Sequence, residues 1–239
     1  MPENRPAQGI AVGVGVGAIG SLPIVGGMVA GGLSAAIASK QREQDEEFWA
    51  WTAARLRAVE GRLASVFDPT DDEFFVSAQK MIRASRETAD RDKRRLLAEV
   101  LVESGSWSAV PYGRRERYID LVVRLTPWHV RLLSYFRDPA DWFRRQGLDQ
   151  ELSRLTGNIT SIAQVMEQYV VPESVPLRLL VADLEREQLV DAPLATIMSG
   201  SGTVDSRTTT DGDAFLRFLN DAPSASSPWP GPGVEPSAS

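Results

Sequence analysis

"TPWHVRLLSYFRDPADWFRRQG", residues 126–147, repeats the same helix-start signal twice. Thr126-Pro127 and Asp138-Pro139 each place a side chain that can cap a helix directly before a proline. The capping oxygen accepts a hydrogen bond from the first turn, and proline fits the first helical position because its missing N–H is not needed there. The stretch therefore predicts two consecutive helices, one ending near Phe136 and the other at Gly147.

The chain between Lys40 and residue 126 shows apolar residues three or four apart, which is the spacing of a half-buried helix. Glu43, Asp45 and their acidic neighbours suit a helix N-terminus. Thr70 followed by Glu73 has the spacing of a capping box. The predicted helices cover 41–67, a segment from Thr70, about 90–104 and 114–125. Residues 40–147 are thus expected to form an α-helical domain.

Residues 148–222 have a different order of elements. Two short helices, near 149–155 and 160–170, precede a longer one over 175–189. Ala195–Met198 and Thr203–Arg207 then predict two strands of a hairpin around "SGSG", and the chain closes with a helix over 213–220. The predicted fold is mainly α: a helical bundle followed by a small module with one β-hairpin.

The order of three helices, a hairpin and a final helix resembles a winged helix-turn-helix, and the whole chain is similar to uncharacterised bacterial helical proteins. The winged-helix resemblance implies that the third helix enters the DNA major groove. Here that helix carries Arg178 and Arg186 against Asp183, Glu185 and Glu187. Since a net negative helix is repelled by phosphate, we expect a protein partner rather than nucleic acid.

Residues 9–39 contain no charged side chain. Small residues recur every four positions on both sides of Pro23, and glycines supply most of them: Gly9, Gly13, Gly17, Gly27 and Gly31. This glycine zipper would form a flat groove that lets helices approach closely in lipid, whereas each helical glycine costs about 1 kcal/mol in water. Residues 1–39, which include this segment, are expected to be membrane-active and to self-associate.

Two other interpretations of this segment stay open. A secretory signal peptide would place its cleavage site at Ala36-Ile37-Ala38, and a glycine-rich arm could pack on the folded domain. In composition the segment also resembles the fusion peptides of enveloped viruses, which implies that it can enter a bilayer. Trp51 follows shortly after it and is a candidate interfacial residue, because tryptophan favours the membrane surface; a core position is the alternative.

Little in the chain indicates catalysis. There is no cysteine and a single histidine, His129, which favours a structural role over a metal site or a catalytic pair. "DGD" at 211–213 is too short for a calcium loop and is expected to cap the last helix. Gly15, Gly17 and Gly20 match a nucleotide-binding fingerprint but lack its strand–helix context. We expect no enzyme activity, no cofactor and no metal.

The net charge of −6 argues against nucleic acid as a partner, and the excess of arginine over lysine suggests a bacterial source. The leading hypothesis is a protein of the bacterial cytoplasm that associates with the inner membrane, with lipid, further copies of itself and an unknown protein as partners. A membrane-disrupting effector is one form of it. The alternative is a soluble interaction or regulatory protein. Residues 223–239, rich in proline and serine, are expected to be disordered.

Overall fold

The structure is a computed structural model that describes residues 26–63, 68–156 and 160–220. The chain divides into two compact units, Met1–Glu43 and Gln44–Ser239. The first seven helices are α1 (Gly26–Leu63), α2 (Asp72–Arg86), α3 (Arg91–Leu101), α4 (Tyr112–Arg124), α5 (Pro127–Arg137), α6 (Pro139–Arg145) and α7 (Asp149–Thr156). They are followed by β1 (Thr160–Ser161), α8 (Ile162–Val165), α9 (Leu177–Arg186), β2 (Ile197–Met198), α10 (Gly200–Thr203) and α11 (Thr210–Asn220). A π-helical turn, Met166–Val170, continues α8.

The predicted fold class is confirmed: the described chain is mainly α, with one two-stranded antiparallel sheet. The two proline-led helices are present as α5 and α6. Asp138 Oδ1 accepts a 2.8 Å hydrogen bond from the Asp141 N–H at the start of α6. Gly147 follows that helix with a φ of +70°, a left-handed conformation that glycine adopts without steric cost.

Two predicted helix starts are wrong. The acidic residues near Asp45 lie inside α1, which already begins at Gly26, so they do not mark an N-terminus. The N-cap of α2 is Asp71 rather than Thr70: Asp71 Oδ1 accepts from the Phe74 N–H at 2.9 Å, while the Thr70 hydroxyl donates back to Asp68. Glu73, the other half of the expected capping box, instead pairs with Arg115 of α4.

The two strands are not the predicted hairpin. In the antiparallel sheet, Thr160 faces Met198 and Ser161 faces Ile197, so β2 pairs with a segment far back in the chain. The "SGSG" segment forms the helical turn α10, with Gly200 against the Leu155 carbonyl at the end of α7, too close for any Cβ. This contact, rather than a tight turn between neighbouring strands, explains the glycine.

The start of α11 also differs from the prediction. The helix begins at Thr210, so "DGD" lies in its first turn and the cap is Thr209, whose hydroxyl accepts from the Gly212 N–H at 3.0 Å. The Asp213 N–H donates to the Thr209 carbonyl at 2.9 Å. Asp211 is therefore free to face α4, where it accepts a hydrogen bond from Tyr118 at 3.0 Å.

One large apolar core within the second unit joins α1 to α11. Helix α5 is central to it, since α3, α6, α9 and α11 all pack against α5. The largest fully buried side chains are Tyr118, Tyr135, Phe48, Phe136, Phe143 and Phe215. Phe48 of α1 lies in this core, and its side chain has no exposed surface. These large aromatic side chains thus serve the packing of the helices.

Candidate functional site

The small-residue face predicted for the N-terminal segment is described only in part. Gly9, Gly13 and Gly17 lie outside the described residues. Gly27 and Gly31 lie in the first two turns of α1, and a spacing of four places them on one face of that helix. Residues 36–38 of the same helix are exposed, with Ile37 at 50% of its full accessible surface. Residues 36–38 therefore form an uncharged, exposed part of α1.

Trp51, the candidate interfacial residue, is half-buried and packs against the core. The guanidinium carbon of Arg91 lies 5.6 Å from the centre of its ring, a distance suited to a cation–π contact. Trp49 is the more exposed tryptophan of this part of α1, at 43%. The sequence indicated Trp51 by its position shortly after the uncharged segment, and that position does not reveal the greater exposure of Trp49.

Two acidic residues of α1, Asp45 and Glu47, hold it to the end of α2 and the start of α3. Arg86 binds both oxygens of Asp45, with N–O distances of 2.8 and 2.5 Å. Glu47 accepts from Arg91 at 2.8 Å and from Arg94 at 3.4 Å. Since Phe48 is buried beside them, these ion pairs fix residues 44–48 of α1 on the helical body. Within the second unit, this part of α1 is thus firmly packed.

His129 has a local role at the start of α5. Its Nδ1 accepts a 3.0 Å hydrogen bond from the Thr126 N–H, so the proton of the neutral ring is on Nε2. Nε2 lies 3.5 Å from Asp183 Oδ2 on α9. Burial of the imidazole lowers the pKa of His129, opposed by Asp183 and supported by the positive charge of Lys93. The ring is buried and serves as a helix cap.

A second feature is a groove of about 480 Å³ between the π-helical turn and the start of α9. Its apolar lining residues are Val171, Pro172, Val175, Pro176, Leu177 and Leu179. Glu167, Glu173 and Arg178 add charge to the lining. Leu179 is exposed at 66%, so the apolar surface continues out of the groove along α9. This volume is in the range of protein pockets that bind ligands.

Within residues 26–63, 68–156 and 160–220, no three acidic or histidine side chains are arranged to hold a metal ion. No helix in the same ranges has both the length and the apolar composition needed to cross a bilayer. The chain matches no protein-family model, no curated protein and no solved structure.

Proposed function

We propose that residues 9–39 associate with the inner membrane of a bacterium, inserting or self-assembling in the bilayer, and that the helical body binds a partner there. Membrane disruption by an effector is one form of this function. The observation that carries the proposal is the uncharged start of α1, with Gly27 and Gly31 four residues apart in the helix and Ile37 exposed further along it. Close helix packing through small residues is favoured in lipid.

The length of this helix limits how it can meet a membrane. Its uncharged part, residues 26–39, is about 21 Å long at 1.5 Å per residue. The hydrocarbon core is about 30 Å thick, so this part alone does not cross it. Under the proposal, residues 26–39 either enter one leaflet or continue a membrane segment formed with residues 9–25. Both arrangements place Lys40 and Arg42 near the headgroups.

Fractionation of bacteria that express the full-length protein tests the proposal. We expect the protein in the membrane pellet after a carbonate wash, and a chain lacking residues 1–39 in the supernatant. Ile37→Lys in the full-length protein should also reduce retention, because it places a charge on the proposed membrane surface. Ile197→Lys is the matched control, since Ile197 is exposed at 72% in β2. Equal retention of all four proteins contradicts membrane association through this segment.

A second candidate is an interaction or regulatory protein whose partner binds residues 148–222. The observation in its favour is the groove beside α9, together with the exposed Leu179. The resemblance to a winged helix leaves DNA as the alternative partner of this part of the chain. Retention of the full-length protein on DNA at low salt, lost on raising the salt, would indicate that partner; we expect no retention, since the net charge is −6.

A further inference from the structure

The groove beside α9 has few groups that can donate a hydrogen bond. Pro172 and Pro176 have no N–H. The N–H groups of four other lining residues are already bonded within the segment: Val171 to Met166, Val175 to Pro172, Leu177 to Val175, and Leu179 to Pro176, at 2.8 to 3.0 Å. An occupant whose polar groups are mainly acceptors would therefore find few main-chain partners along these walls.

The charged lining residues favour the opposite kind of occupant. Glu167 and Glu173 are exposed, and neither forms an ion pair with a residue in the part of the chain that the structure describes. Ionised carboxylates only accept hydrogen bonds, and an ammonium or guanidinium group only donates them. Among the lining residues that the structure describes, Arg178 is the one cation, so the two carboxylates outnumber it. The scarcity of donors in the walls and the excess of carboxylates in the lining therefore both favour an occupant that carries hydrogen-bond donors and positive charge.

We infer that this groove binds a peptide segment of a partner protein in which aliphatic side chains stand beside lysine or arginine. The aliphatic side chains fill the space between the prolines, Val175 and Leu179, while the cation pairs with Glu167 or Glu173. Burial of one or two leucine-sized side chains supplies affinity, and the carboxylates supply selectivity for charge. The inference rests on the interaction role proposed for residues 148–222 and is independent of the membrane role of residues 9–39.

Designed peptides test the inference on the full-length protein in lipid-free buffer. The probe is a fluorescent ten-residue peptide of leucine and lysine; one matched peptide replaces lysine with glutamate, and another replaces leucine with serine. Fluorescence anisotropy gives the Kd of each. We expect each replacement to weaken binding about tenfold or more, as for loss of a central anchor or charge pair. Binding that ignores either replacement, or no binding of the probe, overturns the inference.

Charge variants separate the groove from general attraction to an acidic protein. Glu167→Lys with Glu173→Lys should weaken probe binding about tenfold, and Arg178→Glu should strengthen it. The matched control is Glu116→Lys with Asp205→Lys, which makes the same change in net charge at exposed positions outside the groove. Equal weakening by both pairs would show that the groove is not the site.

Hydrogen exchange with the bound probe locates the contact. The inference expects slower exchange within residues 166–180, and protection elsewhere overturns it. Because no lipid is present, failure here leaves the fractionation result unaffected. Conversely, a protein that stays soluble in the fractionation can still bind the peptide. The two proposals therefore fail separately.

Discussion

The buried ammonium group of Lys93 in α3 donates a hydrogen bond to the carbonyl oxygen of Leu125, the C-cap residue that follows α4. The same group donates to the Val122 carbonyl. The last carbonyls of a helix have no partner within the helix and carry partial negative charge, so a cation there satisfies and stabilises them. Burial nevertheless disfavours the charged form and lowers the pKa of Lys93 to about 8, despite attraction from Asp90.

This pKa predicts that the protein becomes more stable between pH 8 and 10. In the unfolded chain Lys93 keeps its proton up to about pH 10.5, whereas in the folded protein it loses it near pH 8. The unfolded state thus binds more protons in this interval, and the free energy of unfolding rises with pH, by at most about 3 kcal/mol. Urea unfolding at pH 7, 8, 9 and 10 measures the change.

Two variants assign that slope to Lys93. Lys93→Met removes the titrating group and should flatten the rise. Lys80→Met is the control, because Lys80 is half-exposed and paired with Asp120 on the surface. Above pH 10 the trend should reverse, since burial raises the pKa of Tyr118 to about 12 and the unfolded chain then loses its phenolic proton first. A rise that persists in Lys93→Met contradicts the assignment.

The single histidine predicts a loss of stability in mild acid. Burial lowers the pKa of His129 below its usual value, so below about pH 6.5 the unfolded chain takes up a proton that the folded protein resists. The free energy of unfolding should therefore decrease as the pH falls below the pKa of a histidine in the unfolded chain. An NMR titration of the imidazole gives the folded pKa without ambiguity, because no other histidine is present.

His129→Gln is the informative variant at this position. A glutamine oxygen can still accept from the Thr126 N–H, as in a common capping box, but it does not titrate. We expect stability at pH 7 to change little and the slope between pH 5 and 6.5 to become smaller. His129→Ala loses the cap as well and should cost about 1 kcal/mol at pH 7. A pKa above 6.5 for His129 in the folded protein would contradict both the expected loss of stability in mild acid and the smaller slope of His129→Gln.

Two helical glycines predict opposite effects of the same substitution. A Cβ at Gly212 would overlap the Leu189 carbonyl, so the first turn of α11 can approach Leu189 this closely only without a side chain. Gly212→Ala should therefore destabilise the protein by about 1–3 kcal/mol. At Gly113, in the first turn of α4, an added Cβ meets no atom within 4 Å. Gly113→Ala should stabilise by up to about 1 kcal/mol, because alanine favours the helix.

Thermal unfolding of both alanine variants compares them directly. If Gly212→Ala unfolds at the temperature of the unchanged protein, the close approach of α11 to Leu189 is not present in solution. If Gly113→Ala lowers that temperature, the N-terminal turn of α4 is not an open helical surface. Because each variant adds one methyl group, the comparison holds the chemistry of the change constant.

The elements that sequence predicts correctly are those whose signals are local. Asp138-Pro139 starts α6 because cap and proline act within one turn, and Gly147 ends it for a similarly local reason. At α2 the local signal predicts the helix correctly but places its N-cap at Thr70 instead of Asp71. The Thr70 hydroxyl donates to Asp68 and does not cap the helix. Spacing alone does not reveal which of two neighbouring oxygens takes the helix N–H.

The features that sequence missed join residues distant in the chain. The pairing of Ser161 with Ile197 has no signature in either segment, whereas a tight hairpin would have one. The groove beside α9 depends on the fold of one short, proline-containing loop, whose apolar residues resemble any other core segment until their exposure is known. The small-residue pattern of residues 9–39, in contrast, is complete in the sequence and predicts a surface without any long-range contact.

Tyr118 of α4 contacts α11 through both its ring and its hydroxyl, and the contribution of the hydroxyl to stability can be measured. The ring is fully buried between Phe215 and Phe218, with centroids 5.4 Å from each, while the hydroxyl donates to Asp211 at 3.0 Å. Arg117 also pairs with Asp211, so this carboxylate keeps a partner when the hydroxyl is removed.

Tyr118→Phe should therefore cost only about 1 kcal/mol, the net value of one hydrogen bond, because ring packing and the ion pair of Asp211 both persist. Tyr112→Phe, on the same helix, is the control: Tyr112 is exposed and should tolerate the change. Urea unfolding at pH 7 measures both. A cost near 4 kcal/mol for Tyr118→Phe would mean that Arg117 does not satisfy Asp211 alone, whereas no cost would place the hydroxyl in contact with water.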